Sequence, residues 1–122
     1  MRICVAAAVF LALSVAASAQ DAVQAPPDRA TVDLVTSAVT GRFADHDAVV
    51  VANVRHSMAR NGRGYCGEVT VEEGGEASTF HVVFDEAGKA SVLVLSDYPD
   101  PAASSNAAMV HRLMHNFGCV ED

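Results

Sequence analysis

The chain has 122 residues, a formal net charge of -7 and a hydrophobic fraction of 51%. This length allows one small domain and excludes a multi-domain enzyme, a nucleotide-binding α/β fold and a long coiled coil. The acidic excess argues against binding to nucleic acid or to an anionic membrane surface, because both attract basic patches.

The first 19 residues have the layout of a secretory signal peptide. Met1-Arg2 gives a positive start, Ile3 to Ala17 is almost continuously apolar, and Ala17-Ser18-Ala19 fits the small-x-small pattern of a signal peptidase site. The apolar run is short for a membrane span of about 20 residues, and acidic residues follow it. We therefore expect cleavage before Gln20, no stable membrane anchor afterwards, and a periplasmic or secreted protein.

A flexible leader over residues 20–27 and a single α+β domain over residues 28–122 are predicted to follow. The leader ends at Pro26-Pro27 and has no periodic apolar face. A helix then begins at Asp28 or Thr31, either of which can cap it. Gly41 is placed to end this helix in the left-handed conformation. The predicted apolar side of the helix consists of Val32, Leu34, Val35, Ala38 and Val39.

Four strand candidates come next, joined by short connections that predict antiparallel pairing in sequence order, a meander. They are Ala48 to His56, Gly64 to Glu72, Thr79 to Phe84, and Ala90 to Leu95. The last one is apolar on both faces, which suits a strand well inside the sheet. Simple alternation in the first strand would put four side chains on one face: Ala48, Val50, Ala52 and Val54.

A second helix is predicted after the last strand. Asp100 can cap it, with Pro101 as its first residue, and Gly118 supplies the stop. Its apolar stripe follows the spacing i, i+3, i+4, i+7 at Val110, Leu113, Met114 and Phe117. We expect both helices to cover one sheet face, which gives an α+β fold: a two-layer sandwich of helix, four-stranded antiparallel meander and helix.

The cysteines predict one disulfide bond. Removal of Cys4 with the signal peptide leaves Cys66 and Cys119, and an even pair in an oxidising compartment is most simply bonded. The bond would close a loop worth about 4 kcal/mol in the chain-entropy model. The alternative is a redox or nucleophilic thiol, although the sequence has no Cys-x-x-Cys. If the helices cover the face of Tyr65, the bond needs an edge position or a bulge, for which Gly67 is the candidate, because Cys66 alternates with Tyr65.

A pair of histidines at i, i+4 on the second helix is the sharpest candidate for a metal site. His111 and His115 could both reach one zinc or copper ion, with a third ligand from His56, His81 or Glu121. The residue after His111 is Arg112, not the glutamate that a metalloprotease motif requires. The other interpretation is the polar flank of a surface helix, and we predict no bound metal or cofactor.

The sequence contains no recognisable catalytic motif. Its acidic residues fall in predicted turns, where solvated carboxylates are expected in any case. These acidic groups are Asp45-His46-Asp47, Glu72-Glu73 with Glu76, Asp85-Glu86, and Asp97 with Asp100. There is no Gly-x-Ser-x-Gly elbow and no Gly-rich loop that opens a helix. We therefore predict no catalytic residue.

A resemblance is carried by Tyr65-Cys66-Gly67-Glu68-Val69. This segment resembles a motif of short exported bacterial domains that have no established function, in which a helix and a strand precede it. A Gly-containing hairpin and an aromatic strand follow, which are here Gly74-Gly75 and the strand of Phe80 and Phe84. The sequence departs from the pattern at Thr70 to Glu73, where Asn and Lys are usual. The resemblance implies export and a cysteine near the start of a strand, and no catalytic residue.

The sequence therefore favours a non-catalytic exported module that binds an envelope or extracellular protein or polymer. A flat sheet face exposing Val49, Val51, Tyr65 or Phe80 would support that hypothesis. The alternative is a small envelope enzyme or metal-binding protein that uses His111 and His115, which a pocket of convergent polar groups would support.

Overall fold

The computed structural model describes residues 26–45 and 47–121. The predicted signal peptide, most of the predicted leader and His46 lie outside these ranges. The predicted α+β class, with the order helix, four-stranded antiparallel meander, helix, is confirmed. The elements are helix α1 (Arg29–Thr40), strands β1 (Val50–His56), β2 (Gly64–Thr70), β3 (Ser78–Phe84) and β4 (Ala90–Val94), a 3-10 turn (Leu95–Asp97) and helix α2 (Ser105–Asn116).

The sheet has the order β1-β2-β3-β4, and each neighbouring pair is antiparallel. β4 is therefore an edge strand, whereas its apolar sequence had suggested a position well inside the sheet. Both of its faces are nevertheless used, since Val94 is buried with one cluster of apolar residues and Leu93 packs against another. Coverage of both faces, not an interior position, accounts for its composition.

Helix α1 packs on one face of the sheet and forms the larger part of the core. Val35 and Val39 are fully buried against this face. The register aligns Tyr65 with Val82 and Gly67 with Phe80, so these positions share the face. Gly67 leaves the space that the Phe80 ring occupies, because a Cβ atom there would lie 2.5 Å from Cζ of the ring. The Phe80 ring is thereby buried at the centre of the core.

Helix α2 packs on the opposite face, whereas we expected both helices on one face. The register aligns Cys66 with His81 and His81 with Leu93, so these three point away from α1. Val110 and Met114 of α2 are buried in the cluster that contains Cys66. The alternation of β2 thus decides the side on which α2 lies, and the bond of Cys66 needs no bulge at Gly67.

The one irregularity of the sheet lies in β1. The register of β1 with β2 shifts between Ala52 and Arg55, and Asn53 has a φ of 58°. Asparagine tolerates this left-handed conformation better than most residues, and its Nδ2 donates to Oε1 of Glu68 at 2.6 Å. The bulge brings Val54 into the core on the α1 side. The simple alternation predicted for this strand is therefore wrong beyond Ala52.

Helix α1 begins as predicted and ends differently. Oδ1 of Asp28 accepts a hydrogen bond from the backbone N–H of Thr31 at 2.8 Å, so Asp28 is the N-cap. Gly41 has a φ of -63° and is right-handed, so the predicted left-handed stop is wrong. Arg42 follows and forms an ion pair with Asp97, which ties this end of α1 to the 3-10 turn.

Helix α2 begins four residues later than predicted, at Ser105. Oγ of Ser104 accepts from the N–H of Ala107 at 3.0 Å, whereas Oδ1 of Asp100 caps a turn by accepting from Ala102. Gly118 has a φ of 77° and supplies the predicted left-handed stop. No helix in the described part of the chain is long and apolar enough to cross a membrane.

Candidate functional site

A concave pocket of about 310 Å³ opens between α1 and the end of the sheet where β2 begins and β3 ends. Pockets that hold small ligands or single side chains start at about this size. Three of its walls are apolar side chains from three different elements. The lining residues are Leu34, Arg63, Tyr65, Phe84 and Gly88. We call this the Leu34 pocket.

The floor of the Leu34 pocket is an aromatic pair. The rings of Tyr65 and Phe84 meet edge to face with their centroids 6.2 Å apart, and His56 lies against the other side of Tyr65 at 5.2 Å. Tyr65 is buried, whereas the Leu34 side chain at the rim is 61% exposed. A rigid aromatic floor with an exposed aliphatic rim is suited to receive an apolar group.

Arg63 is the charged residue among the five that line the pocket. Its Nη1 donates to the backbone carbonyl of Asp85 at 2.9 Å, and its own carbonyl accepts from the N–H of Phe84 at 3.1 Å. The Asp85 carboxylate faces its own turn, where Oδ1 accepts from the N–H groups of Ala87 and Lys89. The guanidinium is therefore positioned by a backbone carbonyl, and its positive charge is not neutralised by that carboxylate.

The described part of the sheet has no flat face that exposes the side chains named above as signs of a binding surface. Phe80 is fully buried, and Val49 and Val51 are partly buried against the core under α1. Of the four residues that we considered, Tyr65 alone contributes to the Leu34 pocket. The site is thus concave rather than flat, and its walls are apolar rather than a set of convergent polar groups.

A serine and a histidine meet on the α2 side of the sheet. Oγ of Ser57 lies 3.0 Å from Nε2 of His81, within hydrogen-bonding distance. Gly64 makes room for this contact, because a Cβ atom there would be 2.3 Å from the Ser57 Oγ. The pair resembles the nucleophile and base of a hydrolase in distance alone.

The surroundings of His81 do not favour such chemistry. Its imidazole is 2% exposed and stacks on the Phe117 ring, with the centroids 4.0 Å apart. Burial lowers the pKa of His81 from 6.5 to about 4. A general base works best with a pKa near the operating pH, so this imidazole is a weak base for Ser57. We assign the pair to the packing between β3 and the chain segment after α2.

The predicted pair of histidines on α2 is present, but His111 already has a partner. Its Nε2 lies 2.5 Å from the backbone carbonyl of Tyr98. Within residues 26–45 and 47–121, no three His, Cys, Asp or Glu side chains are grouped so as to hold a metal ion. The predicted third ligand His81 is instead buried in the sheet, next to Cys66 in the register.

The predicted disulfide pairing is confirmed. The sulfur atoms of Cys66 and Cys119 are 2.13 Å apart, a bonding distance. The segment that follows α2 is also held by hydrogen bonds, from Nη2 of Arg55 to the carbonyl of Cys119 and from the N–H of Met58 to the carbonyl of Phe117, each at 2.9 Å. This segment covers His81 and closes the α2 side of the sheet.

Comparisons with known proteins identify no relative. No family model, no curated protein and no solved structure matches the chain. The resemblance to short exported bacterial domains stays a prediction. Sequence reasoning did not find the Leu34 pocket, because its walls are distant in the chain and Leu34 had been counted among the core residues of α1.

Proposed function

We propose that this chain is a small exported domain that acts without catalysis, in the periplasm or outside the cell, by binding a protein or polymer partner. One observation carries the proposal: the Leu34 pocket, with an exposed aliphatic rim over an aromatic floor. Exposed apolar side chains beside a concavity are typical of surfaces that receive a partner.

The lining of the pocket supports binding over catalysis. Arg63 is its only charged member, and the five lining residues include no His, Asp, Glu, Lys or Cys; the one acid–base side chain among them, Tyr65, packs edge to face against Phe84. The Ser57 and His81 pair belongs to the other face of the sheet, where His81 is buried and Ser57 is half-buried. An apolar wall with one cation is better suited to recognise a group than to transform it.

Export is supported by the first 19 residues and by the cysteines. The bond between Cys66 and Cys119 is compatible with an oxidising compartment. Cleavage after Ala19 would produce a chain that begins at Gln20. Intact-mass measurement of the protein recovered from the periplasm or the medium tests this, and retention of residues 1–19 would contradict it.

Partner capture tests the binding proposal. The exported protein is used as bait in crosslinked envelope extract, beside the variants L34E and M109E. Leu34 and Met109 are both exposed, at 61% and 45%, and lie on helices at opposite faces of the sheet. We expect L34E to lose the captured partner and M109E to keep it. Equal capture by both variants would show that the Leu34 pocket is not the binding site.

A further inference from the structure

We infer that the Leu34 pocket binds the C-terminal residue of a partner polypeptide, with a bulky apolar side chain inside the pocket and the free carboxylate on Arg63. The inference rests on the proposed function and names the chemistry of the partner. Three features of the pocket carry it: its apolar walls, its single cation, and its position over the interior of the sheet.

The walls select an apolar side chain. Leu34 leaves most of its surface in water and lines the same pocket as Tyr65 and Phe84. A guest side chain would bury that surface together with its own, and apolar burial stabilises by about 25 cal/mol for each Å² removed from water. A volume of about 310 Å³ is large enough to receive one bulky side chain.

The cation selects a carboxylate. Two other arginines in the described ranges have carboxylate partners, Arg29 with Asp33 and Arg42 with Asp97. Arg63 instead donates Nη1 to a backbone carbonyl, which orients the guanidinium and leaves most of its five N–H donors for a ligand. A carboxylate that bonds to it gains a charge-assisted hydrogen bond.

The position of the pocket selects a chain end. Tyr65 and Phe84 belong to the interior strands β2 and β3, so a partner cannot reach the pocket by adding a strand to the edge of the sheet. α1 closes one side with Leu34, and the turn at Gly88 bounds another. A C-terminal residue carries its side chain and its carboxylate on one Cα atom. A single residue can therefore place its side chain against the apolar walls and its carboxylate on Arg63.

The test is an NMR titration of the isotope-labelled exported protein, followed on the methyl groups of Leu34. Three short peptides serve as probes: Gly-Ser-Gly-Leu as the free acid, the same peptide as the C-terminal amide, and Gly-Ser-Gly-Ser as the free acid. We expect the leucine acid to bind about tenfold more tightly than its amide, the usual effect of one charge-assisted hydrogen bond at a partly exposed site. The serine acid should bind more weakly still, because it lacks the apolar group.

Two arginine variants identify the group that reads the carboxylate. Replacing Arg63 with glutamine should weaken binding of the leucine acid about tenfold and leave the amide unchanged, whereas R63K should retain most of the preference. R60Q is the matched control, because Arg60 is an exposed arginine of the same loop outside the pocket lining and the change in net charge is identical. It should leave both affinities unchanged.

Several results would overturn the inference. Equal affinities for acid and amide, or equal effects of R60Q and R63Q, would show that no carboxylate is read at Arg63. Tighter binding of octanoate than of the leucine peptide would assign the pocket to small aliphatic acids. If L34E still loses its partner in the capture experiment while acid and amide bind alike, the binding function stands and the chain-end specificity fails.

Discussion

His81 is a polar residue that the fold buries with one hydrogen-bonding partner. Its Nε2 lies 3.0 Å from Ser57 Oγ, and its ring stacks on the Phe117 ring. With a pKa lowered to about 4 by burial, the imidazole is neutral in the folded protein at neutral pH. Protonation would place an uncompensated charge in the packing between β3 and the segment after α2, which is costly.

This burial predicts a pH dependence of stability. In the unfolded chain His81 titrates near its usual 6.5, so the unfolded state binds the proton first as the pH falls. The contribution of neutral His81 to the free energy of unfolding is therefore fully present above the unfolded pKa, and it is lost as the pH decreases from about 6.5 toward 4. We expect a loss of about 2 kcal/mol between pH 7 and pH 5, measured by urea unfolding at several pH values.

Substitution separates this effect from that of other groups. The variant H81N should lose most of the pH dependence between pH 7 and pH 5, at the cost of a lower stability at pH 7. The matched control is H56Q, which removes an exposed histidine and should keep the wild-type slope. A slope that is unchanged in H81N would contradict the assignment to His81.

Gly67 is the second residue whose identity the packing requires. A Cβ atom at this position would lie 2.5 Å from the Phe80 ring and 3.0 Å from the carbonyl oxygen of Ala52. We expect G67A to lower the free energy of unfolding by about 1 to 3 kcal/mol through overpacking, as measured by urea denaturation. In the double variant G67A/F80L the aromatic ring is absent. The loss of stability in this double variant should therefore be smaller than the sum of the losses in G67A and in F80L. Strict additivity would show that the overlap is not with Phe80.

At the scale of elements, the sequence predicts the number, type and order of the helices and strands, because apolar segments of helical or strand character are separated by turn residues. It fails where the outcome depends on contacts made elsewhere. Asp100-Pro101 is a typical helix start, yet Asp100 stabilises a turn and Ser104 caps α2. The bulge at Asn53 has only a weak sequence signal: asparagine is depleted in regular strands and tolerates a positive φ, but its presence does not by itself specify a register shift.

The N-cap role of Ser104 at the start of α2 can be tested by substitution. Oγ of Ser104 satisfies a backbone N–H of the first turn, so S104A should destabilise the protein by about 1 kcal/mol. S104G should lower the free energy of unfolding by only about a few tenths of a kcal/mol, because glycine is itself tolerated as an N-cap. Thermal or urea unfolding measures both. A loss of stability in S104G as large as that in S104A would argue against a capping role.

At the scale of the whole molecule, the site was harder to predict than the fold. The Leu34 pocket joins a helix residue, two strand residues and two loop positions, and no sequence pattern relates the helix residue to the others. Leu34 shares the apolar side of α1 with Val35 and Val39 on a helical wheel, but it is 61% exposed whereas those two are fully buried. The side on which α2 lies, in contrast, follows from two features that the sequence does predict: the bond between Cys66 and Cys119, and the alternation of Cys66 with Tyr65. The expectation of both helices on one face was wrong because it gave these two features less weight than a bulge.

The disulfide bond of Cys66 and Cys119 ties the sheet covalently to the segment after α2. Cys66 lies in β2 and Cys119 follows α2, so the bond closes a long loop that contains β3, β4 and α2. Loss of the bond relaxes the unfolded chain and releases the segment that covers His81. We expect C66S or C119S to lower the free energy of unfolding by about 2 to 5 kcal/mol, measured by urea denaturation. Thiol titration of the exported wild type, denatured without reductant, should find no free thiol, and two reactive thiols in that material would show that the bond is not formed in the cell.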